Sequence, residues 1–297
     1  MRYGLAISLV VAAFAALPAP ASGSQLIARN AKGVRLAVNR NGVALLTYRN
    51  NGQLHHTLAW GAINARRPTR GERQVAFKLD RSGGWGSLGK NAWRRFRNVC
   101  GPYEGPELHW LVRACTVPDG SHWALQKWQH RLPNYGLPAS RTRAAWELHL
   151  SHWSGELPEF VVKLDWVYRR FDHLYGWLTY RGTGVYGFNN SRYGAVLDTW
   201  GRNVFIDTYN SRYGRGWKRE NGFLTHRPSG AFCYGFYRHG SRPIGKGEAY
   251  RATVSGPGVT PILFWSSPAL GPFDPDLDAA ANEEQATIFT HSLCRAK

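Results

Sequence analysis

Two Asn-Gly pairs near the start of the chain constrain the fold more than any other feature of the sequence. Asn41-Gly42 and Asn51-Gly52 each follow a run that alternates or is rich in aliphatic residues. Asn-Gly supplies the positive φ angles that tight hairpin turns require. The pattern therefore predicts a β-meander of three antiparallel strands, over residues 34–39, 43–48 and 54–63.

The rest of the chain repeats this style of short apolar runs. The runs are rich in valine, tryptophan, tyrosine and phenylalanine, and glycine- and proline-containing breaks separate them. Many short strands without a βαβ rhythm predict an all-β fold, a two-sheet β-sandwich or jelly roll of antiparallel strands. Further strands are expected over residues 74–79, 93–99, 108–115, 122–129, 145–150, 160–168, 177–180, 203–208, 222–225, 231–237, 249–254 and 262–265.

One helix is expected at the C-terminal end, over residues 276–293. This run is rich in alanine and glutamate, follows Pro275 and has acidic residues in its first turn. Leu277, Ala281 and Ile288 are predicted to form its buried stripe.

Residues 1–21 have the layout of a bacterial-type secretory signal peptide. Arg2 supplies the positive end, and residues 4–17 form an apolar run shorter than the ~20 residues that a membrane span needs. Ala19 and Ala21 place the expected cleavage after Ala21. The predicted organisation is a signal peptide over 1–21 and a single mostly-β globular domain over 22–297, with a possible sub-boundary near 133–140. The mature chain is expected to be secreted or extracytoplasmic, without a transmembrane anchor.

The four cysteines predict disulfides, because the chain is expected to leave the reducing cytoplasm. The favoured pairs are Cys100–Cys115 and Cys233–Cys294. The first pair requires that strands 93–99 and 108–115 are not partners in a tight hairpin. In such a hairpin the two Cα atoms would lie farther apart than the ~7 Å that a disulfide spans.

The formal net charge of +19 points to acidic partners. Thirty of the 38 basic residues are arginine, whose planar guanidinium suits carboxylate and phosphate groups. A genome rich in G and C would explain the arginine equally well. The partner class predicted is an anionic polysaccharide or wall polymer, and export disfavours nucleic acid. The sequence leaves the oligomeric state open.

The segment 190–221 is the most distinctive region, because arginines and aromatic residues interleave there between glycines. Aromatic faces stack on rings and guanidinium groups hold anions, so the segment is a candidate binding surface. The alternative is that the aromatic residues are core and the arginines a solvated face. The candidate ligand-binding residues are Arg192, Trp200, Tyr209, Arg212, Tyr213, Arg215, Trp217 and Arg219.

Motifs for metal, cofactor or nucleophilic chemistry are missing from the sequence. It has no HExxH and no GxSxG, and Glu147 with His149 supplies two potential ligands where a metal site needs three or four. Residues 84–91 approach a phosphate-binding loop in spacing, but Asn91 replaces the required serine or threonine. No cofactor or metal is therefore predicted, and no catalytic residue is assigned. Acids available for glycan hydrolysis are Glu147, Asp165, Asp172, Asp198 and Asp207, which the sequence alone does not pair.

The function expected from these features is binding of anionic cell-surface or extracellular polysaccharide. The alternatives are a secreted polysaccharide lyase or glycoside hydrolase on the same β-sandwich scaffold, and a structural envelope protein. A shallow aromatic face would favour binding, whereas a cleft with a histidine or tyrosine among converging arginines would favour a lyase.

Overall fold

The structure is a computed structural model that describes most of the chain after residue 23. The described residues are 24–69, 72–130, 145–167, 171–186, 189–190, 196–197, 200, 202–223, 228–238 and 247–288. The strands within them are β1 (Gln25–Arg29), β2 (Lys32–Val38), β3 (Ala44–Asn50), β4 (Gln53–Trp60), β5 (Lys78–Asp80), β6 (Leu111–Thr116), β7 (His122–His130), β8 (Ala145–Trp153), β9 (Glu159–Val167), β10 (Phe171–Tyr180), β11 (Thr183–Gly184), β12 (Asn189–Asn190), β13 (Val196–Leu197), β14 (Asn203–Ser211), β15 (Gly214–Phe223), β16 (Ala231–Arg238), β17 (Ala249–Ser255) and β18 (Leu263–Pro268).

Two four-stranded antiparallel sheets pack together to form a first sandwich. One sheet has the order β1-β8-β7-β6, and the other has the order β2-β3-β4-β5. Alternating apolar side chains from both sheets meet in one buried cluster, as strands with one buried face require. The cluster includes Ile27, Val38, Ala44, Leu46, Trp123, Leu125, Leu148 and Leu150.

The predicted β-meander is present as β2, β3 and β4, but its two connections differ. Asn51 and Gly52 both have positive φ and connect β3 to β4 in a two-residue turn. The first connection is longer, because the Asn39 side-chain oxygen accepts the backbone N–H groups of Asn41 and Val43. Of the first Asn-Gly pair, only Gly42 has a positive φ.

A second sandwich follows along the chain. Its sheets are β11-β10-β16, in which β9 also pairs with β10, and β15-β14-β17-β18. Val162, Leu174 and Phe232 from the first of these sheets pack against Ile206 and Ala252 from the second. A two-stranded ladder joins β12 to β13.

The prediction of an all-β sandwich with one C-terminal helix is confirmed, and the strands form two such sandwiches in succession. The chain passes from the first to the second between β8 and β9. The possible sub-boundary near 133–140 lies outside the described residues.

Residues 256–262 connect β17 to β18 of the second sandwich and pack against the first sandwich. The backbone N–H of Ser24 donates to the Gly258 carbonyl, and the backbone N–H of His152 donates to the Val259 carbonyl. Val259 is also a member of the first sandwich's buried cluster. The Gln126 carboxamide, fully buried, both donates to the Ile262 carbonyl (3.1 Å) and accepts the Ile262 N–H (2.8 Å).

Helix α1 (Pro275–Ile288) begins where it was predicted, with the Asp274 carboxylate accepting the N–H groups of Asp276 and Leu277. Its buried stripe was predicted wrongly in one respect. Ala281 is buried, but Leu277 is 52% exposed, and the other buried positions are polar, namely Asp278 and Gln285. The buried positions of α1 are polar because the helix packs on a face of β9 and β10 that carries polar groups. The Ile288 side chain and residues 289–297 lie outside the described residues.

The Cys100–Cys115 disulfide is present, with 5.4 Å between its Cα atoms. Its geometric requirement is met, because the strand expected over 93–99 does not form. A short 3-10 helix (Ala92–Arg95) stands there instead, and β6 pairs with β7. Gly101 then forms a single antiparallel bridge with Thr116, which brings the cysteines together. Cys294 lies outside the described residues, so the Cys233–Cys294 bridge stays a prediction.

The residues of the expected signal peptide lie before the first described residue. Among the helices that are described, none has the length and apolar character needed to cross a membrane.

Candidate functional site

The hairpin β14–β15 presents most of the distinctive aromatic–basic segment. A two-residue turn at Arg212 and Tyr213 connects the strands, because Ser211 pairs with Gly214. Val204, Ile206 and Thr208 are buried toward the second sandwich's core, so the alternate residues lie on the outer face of the sheet. This alternation decides which of the segment's side chains reach the surface.

A buried ion triad crosses this outer face. Asp207 pairs directly with Arg219 on β15 and with Arg251 on β17. Its carboxylate oxygens lie 2.8 Å from Arg219 Nε and 2.9 Å from Arg251 Nε, and the side chains of Asp207 and Arg219 are each 2% exposed. Burial disfavours ionisation of Asp207, but the two guanidinium groups outweigh it and hold its pKa below the ordinary value.

Two of the predicted ligand-binding residues lie inside the protein. Trp200 is 3% exposed and packs with Leu178, Val204 and Val254. Arg219 belongs to the ion triad, with its guanidinium 4.1 Å from the ring centroid of Phe205. The structure does not bring these two side chains to the surface with the others.

Tyr209 and Trp217 do lie together at the surface. They are direct cross-strand partners whose ring centroids are 5.2 Å apart, and Tyr209 is 37% exposed. The Arg251 guanidinium stands 4.6 Å from the Trp217 ring centroid, as in a cation–π pair. Sequence reasoning missed Arg251, because it comes from β17 and nothing in its own neighbourhood marks it.

The end of the hairpin adds further basic and aromatic groups. The Arg212 guanidinium lies 4.7 Å from the Tyr213 ring centroid, and Arg212 and Arg215 are both exposed. Arg215 forms no ion pair with any residue of the described part of the chain. We call Tyr209, Arg212, Tyr213, Arg215, Trp217 and Arg251 the hairpin face. The remaining predicted residue, Arg192, lies outside the described residues.

The Glu147 and His149 pair is part of a buried network between strands. Glu147 accepts from Arg29 Nε at 2.9 Å and lies 3.4 Å from His149 Nε2. His149 Nδ1 lies 3.0 Å from Ser24 Oγ, and the His149 ring packs on Trp128. No group of three or more potential metal ligands occurs among the residues that the structure describes.

The other acids considered for hydrolysis also have partners in the scaffold. Asp172, fully buried, accepts the Tyr250 hydroxyl at 2.8 Å, and Asp207 belongs to the ion triad. Asp165 lies beside α1, where burial raises its pKa and the nearby Asp278 and Glu284 carboxylates raise it further. Asp198 lies outside the described residues.

The chain matches no known family model, no curated protein and no solved structure. Its function is therefore inferred from the geometry of the hairpin face.

Proposed function

We propose that this is an exported protein that binds anionic extracellular or cell-surface polysaccharide through the hairpin face. The observation that carries the proposal is the adjacent pair Tyr209 and Trp217, with the Arg251 guanidinium against the tryptophan ring. Arg212 and Arg215 stand exposed at the end of the same hairpin. The Arg251 side chain is only 11% exposed and is paired with Asp207, so Arg212 and Arg215 supply the exposed positive charge beside the two rings.

This combination matches the chemistry of an acidic sugar chain. The apolar face of a sugar ring packs on an aromatic ring, while its carboxylate, sulfate or phosphate group pairs with a guanidinium. The hairpin face follows two paired strands, β14 and β15, of 9 and 10 residues. Such a surface suits an extended polymer better than an enclosed small molecule.

Export is part of the proposal and rests on two features. Residues 1–21 have the layout of a secretory signal, and the Cys100–Cys115 disulfide is of the kind that persists in oxidising compartments. The net charge of +19 adds a general attraction toward anionic polymers.

The first test compares one polymer in two charge states. We expect the protein to bind polygalacturonate and to lose most of this binding when the polymer is fully methyl-esterified. The Arg212→Ala/Arg215→Ala variant should bind more weakly and depend less on salt, because salt screens exposed charges beyond about 10 Å at 0.1 M. Calorimetry at several salt concentrations measures both effects. A control variant, Lys32→Ala/Arg35→Ala, removes the same charge from exposed positions on β2 and should retain the wild-type salt dependence.

Trp217→Ala tests the aromatic part of the same surface. We expect affinity to fall by about 1–3 kcal/mol at every salt concentration, as for aromatic residues that stack on rings. The matched control is Trp200→Ala, which removes a core tryptophan and should cost about 3–5 kcal/mol of folding stability. Melting temperature is therefore measured beside affinity for both variants.

Other results would replace the proposal. Wild-type polymer binding by both the arginine variant and folded Trp217→Ala would exclude the hairpin face. New reducing ends or unsaturated products from the polymer would favour the glycoside hydrolase or polysaccharide lyase. A protein that neither binds nor cleaves acidic polymers would favour the structural envelope role.

A further inference from the structure

A cavity of about 650 Å³ lies on the first sandwich, against the outer face of the β2-β3-β4-β5 sheet. The loop 39–43 forms one wall, and residues 88–99 form the opposite wall. Buried Val43 and Leu58, together with partly buried Phe96, make an apolar floor. The volume falls within the range of about 300–1,000 Å³ that small-molecule sites occupy.

Three guanidinium groups line this cavity, from Arg40, Arg95 and Arg97. All three side chains are exposed. None of them forms an ion pair or a hydrogen bond with the residues described, and no described aspartate or glutamate lines the cavity. Three like charges around one concave surface repel each other and concentrate positive potential, which an anion would neutralise.

The amides in the walls also favour a ligand rich in acceptors. The Asn39 side-chain oxygen already accepts two backbone N–H groups of its own loop. The Asn98 side-chain oxygen accepts the N–H groups of Val38 and Cys100. With both oxygens engaged, the groups that these amides offer a ligand are N–H donors.

The walls are held in place by contacts behind them. The Trp93 ring stacks on His56 with centroids 4.1 Å apart, and Val99 donates its N–H to the Val38 carbonyl at 2.8 Å. The Cys100–Cys115 disulfide then fixes the end of the second wall to β6. A cavity with fixed walls binds with a smaller loss of conformational entropy than a loop that must first become ordered.

We propose that this cavity binds a small organic anion, in which a phosphate, sulfate or carboxylate group is attached to an apolar body. The anionic group pairs with Arg95, Arg97 and Arg40, and the body packs on the Val43, Leu58 and Phe96 floor. This site lies on the first sandwich and takes a small ligand, so it is separate from polymer binding at the hairpin face.

Three probes separate the two parts of this recognition. Phenyl phosphate carries both an anionic group and an apolar ring, inorganic phosphate carries only the first, and benzyl alcohol only the second. We expect phenyl phosphate to bind at one site per chain, about tenfold or more tighter than either partial probe. Titration calorimetry gives affinity and stoichiometry. Equal affinity for phenyl phosphate and benzyl alcohol would overturn the proposal.

Variants then locate the binding. Arg95→Ala/Arg97→Ala should weaken phenyl phosphate binding by about tenfold for each guanidinium removed. The control Arg35→Ala/Arg113→Ala removes two exposed arginines of the same sandwich that do not line the cavity, and should bind as the wild type does. If the two double variants lose affinity equally, the attraction is general charge and the proposed site is wrong.

A third variant fills the cavity and leaves its charges in place. Ala92 lines the cavity, so Ala92→Phe should abolish phenyl phosphate binding without changing net charge. Unchanged binding by a folded Ala92→Phe protein would place the ligand elsewhere and overturn the proposal. If Ala92→Phe fails to fold, the comparison of the two arginine variants decides.

Arg212→Ala/Arg215→Ala should bind phenyl phosphate normally, which separates failure of this proposal from failure of polymer binding.

Discussion

At the scale of single residues, Asp207 has the most demanding environment. It is the acidic member of a buried triad with two arginines, and Arg219 is as buried as Asp207 itself. We expect Asp207→Asn to lower the free energy of unfolding by about 3–5 kcal/mol, because it leaves Arg219 charged and buried without its carboxylate. Urea denaturation measures the change. The exposed substitution Glu107→Gln is the control and should cost less than about 0.5 kcal/mol.

A loss below about 1 kcal/mol for Asp207→Asn would contradict this assignment. It would mean that water or another group reaches Arg219 as easily as the carboxylate does.

The same residues show where prediction from sequence reaches its limit. A short apolar run marked 203–208 as a strand, and that strand forms within β14. The sequence pattern did not show that Arg219 would be buried, because charged side chains are usually exposed unless a partner compensates them. The compensating Asp207 is identified only by strand register, which depends on the whole sheet. Trp200 was placed inside by long-range packing that a linear pattern does not record.

At the scale of elements, α1 is the helix with an unusual contact surface. The Lys163 ammonium and the Tyr175 hydroxyl on neighbouring strands both bind the Glu284 carboxylate. Asp165 lies beside them, and burial raises its pKa. The helix is therefore attached through polar contacts. The contact of Asp165 with the nearby Asp278 and Glu284 carboxylates is unfavourable when Asp165 is ionised.

This arrangement predicts a stabilising substitution. Because the folded protein holds the Asp165 proton more tightly than the unfolded chain does, Asp165 favours folding most below its unfolded pKa and loses that effect as pH rises. We expect Asp165→Asn to raise the melting temperature near pH 7, with a gain that shrinks as pH falls toward 4. Calorimetric scans across this range measure the difference.

Glu284→Gln is the matched control for the same helix. The Lys163 hydrogen bond leads the interactions that lower the pKa of Glu284, so its loss should destabilise the protein at neutral pH. A lower melting temperature for Asp165→Asn at pH 7 would show that the Asp165 charge is favourable, against the prediction.

Element boundaries were predicted correctly where a turn depends on adjacent residues. They were missed where they depend on contacts between distant strands. The Asn51-Gly52 turn depends on two adjacent residues, and it forms as predicted. The first half of β10 was missed, because Gly176 interrupts its pattern. A Cβ at that position would lie 1.9 Å from the Val161 carbonyl oxygen, so the glycine reflects close strand approach. Strand β15 was largely missed too, because glycines and charged residues fill it.

At the scale of the whole molecule, the all-β class and the helix followed from the sequence, but the division into two sandwiches did not. Short strands of similar composition build both sandwiches, so no change in pattern marks the passage between β8 and β9. The two surface sites could not be predicted from the sequence either, because each combines separate parts of the chain. The hairpin face needs β17, and the cavity needs a loop of β2–β3 beside residues 88–99.

Gln126 tests how strongly the sandwiches depend on each other. Its buried carboxamide makes both hydrogen bonds to the Ile262 backbone, so Gln126→Leu would leave that N–H and carbonyl without these partners. We expect a loss of about 2 kcal/mol in stability, with both sandwiches still unfolding in one transition. Tryptophan fluorescence and far-ultraviolet circular dichroism should give the same midpoint. Two separate midpoints in the wild-type protein would contradict this coupling.

The same segment has a consequence for the order in which the molecule can be built. Val259 completes the first sandwich's core, and the Gln126 carboxamide has Ile262 as a partner. During synthesis the first sandwich therefore lacks part of its interior until residue 262 has left the ribosome. A stable early fold is disfavoured while the chain is still being made. If the protein is exported, as proposed above, this delay would leave the chain unfolded while it is threaded through a membrane pore.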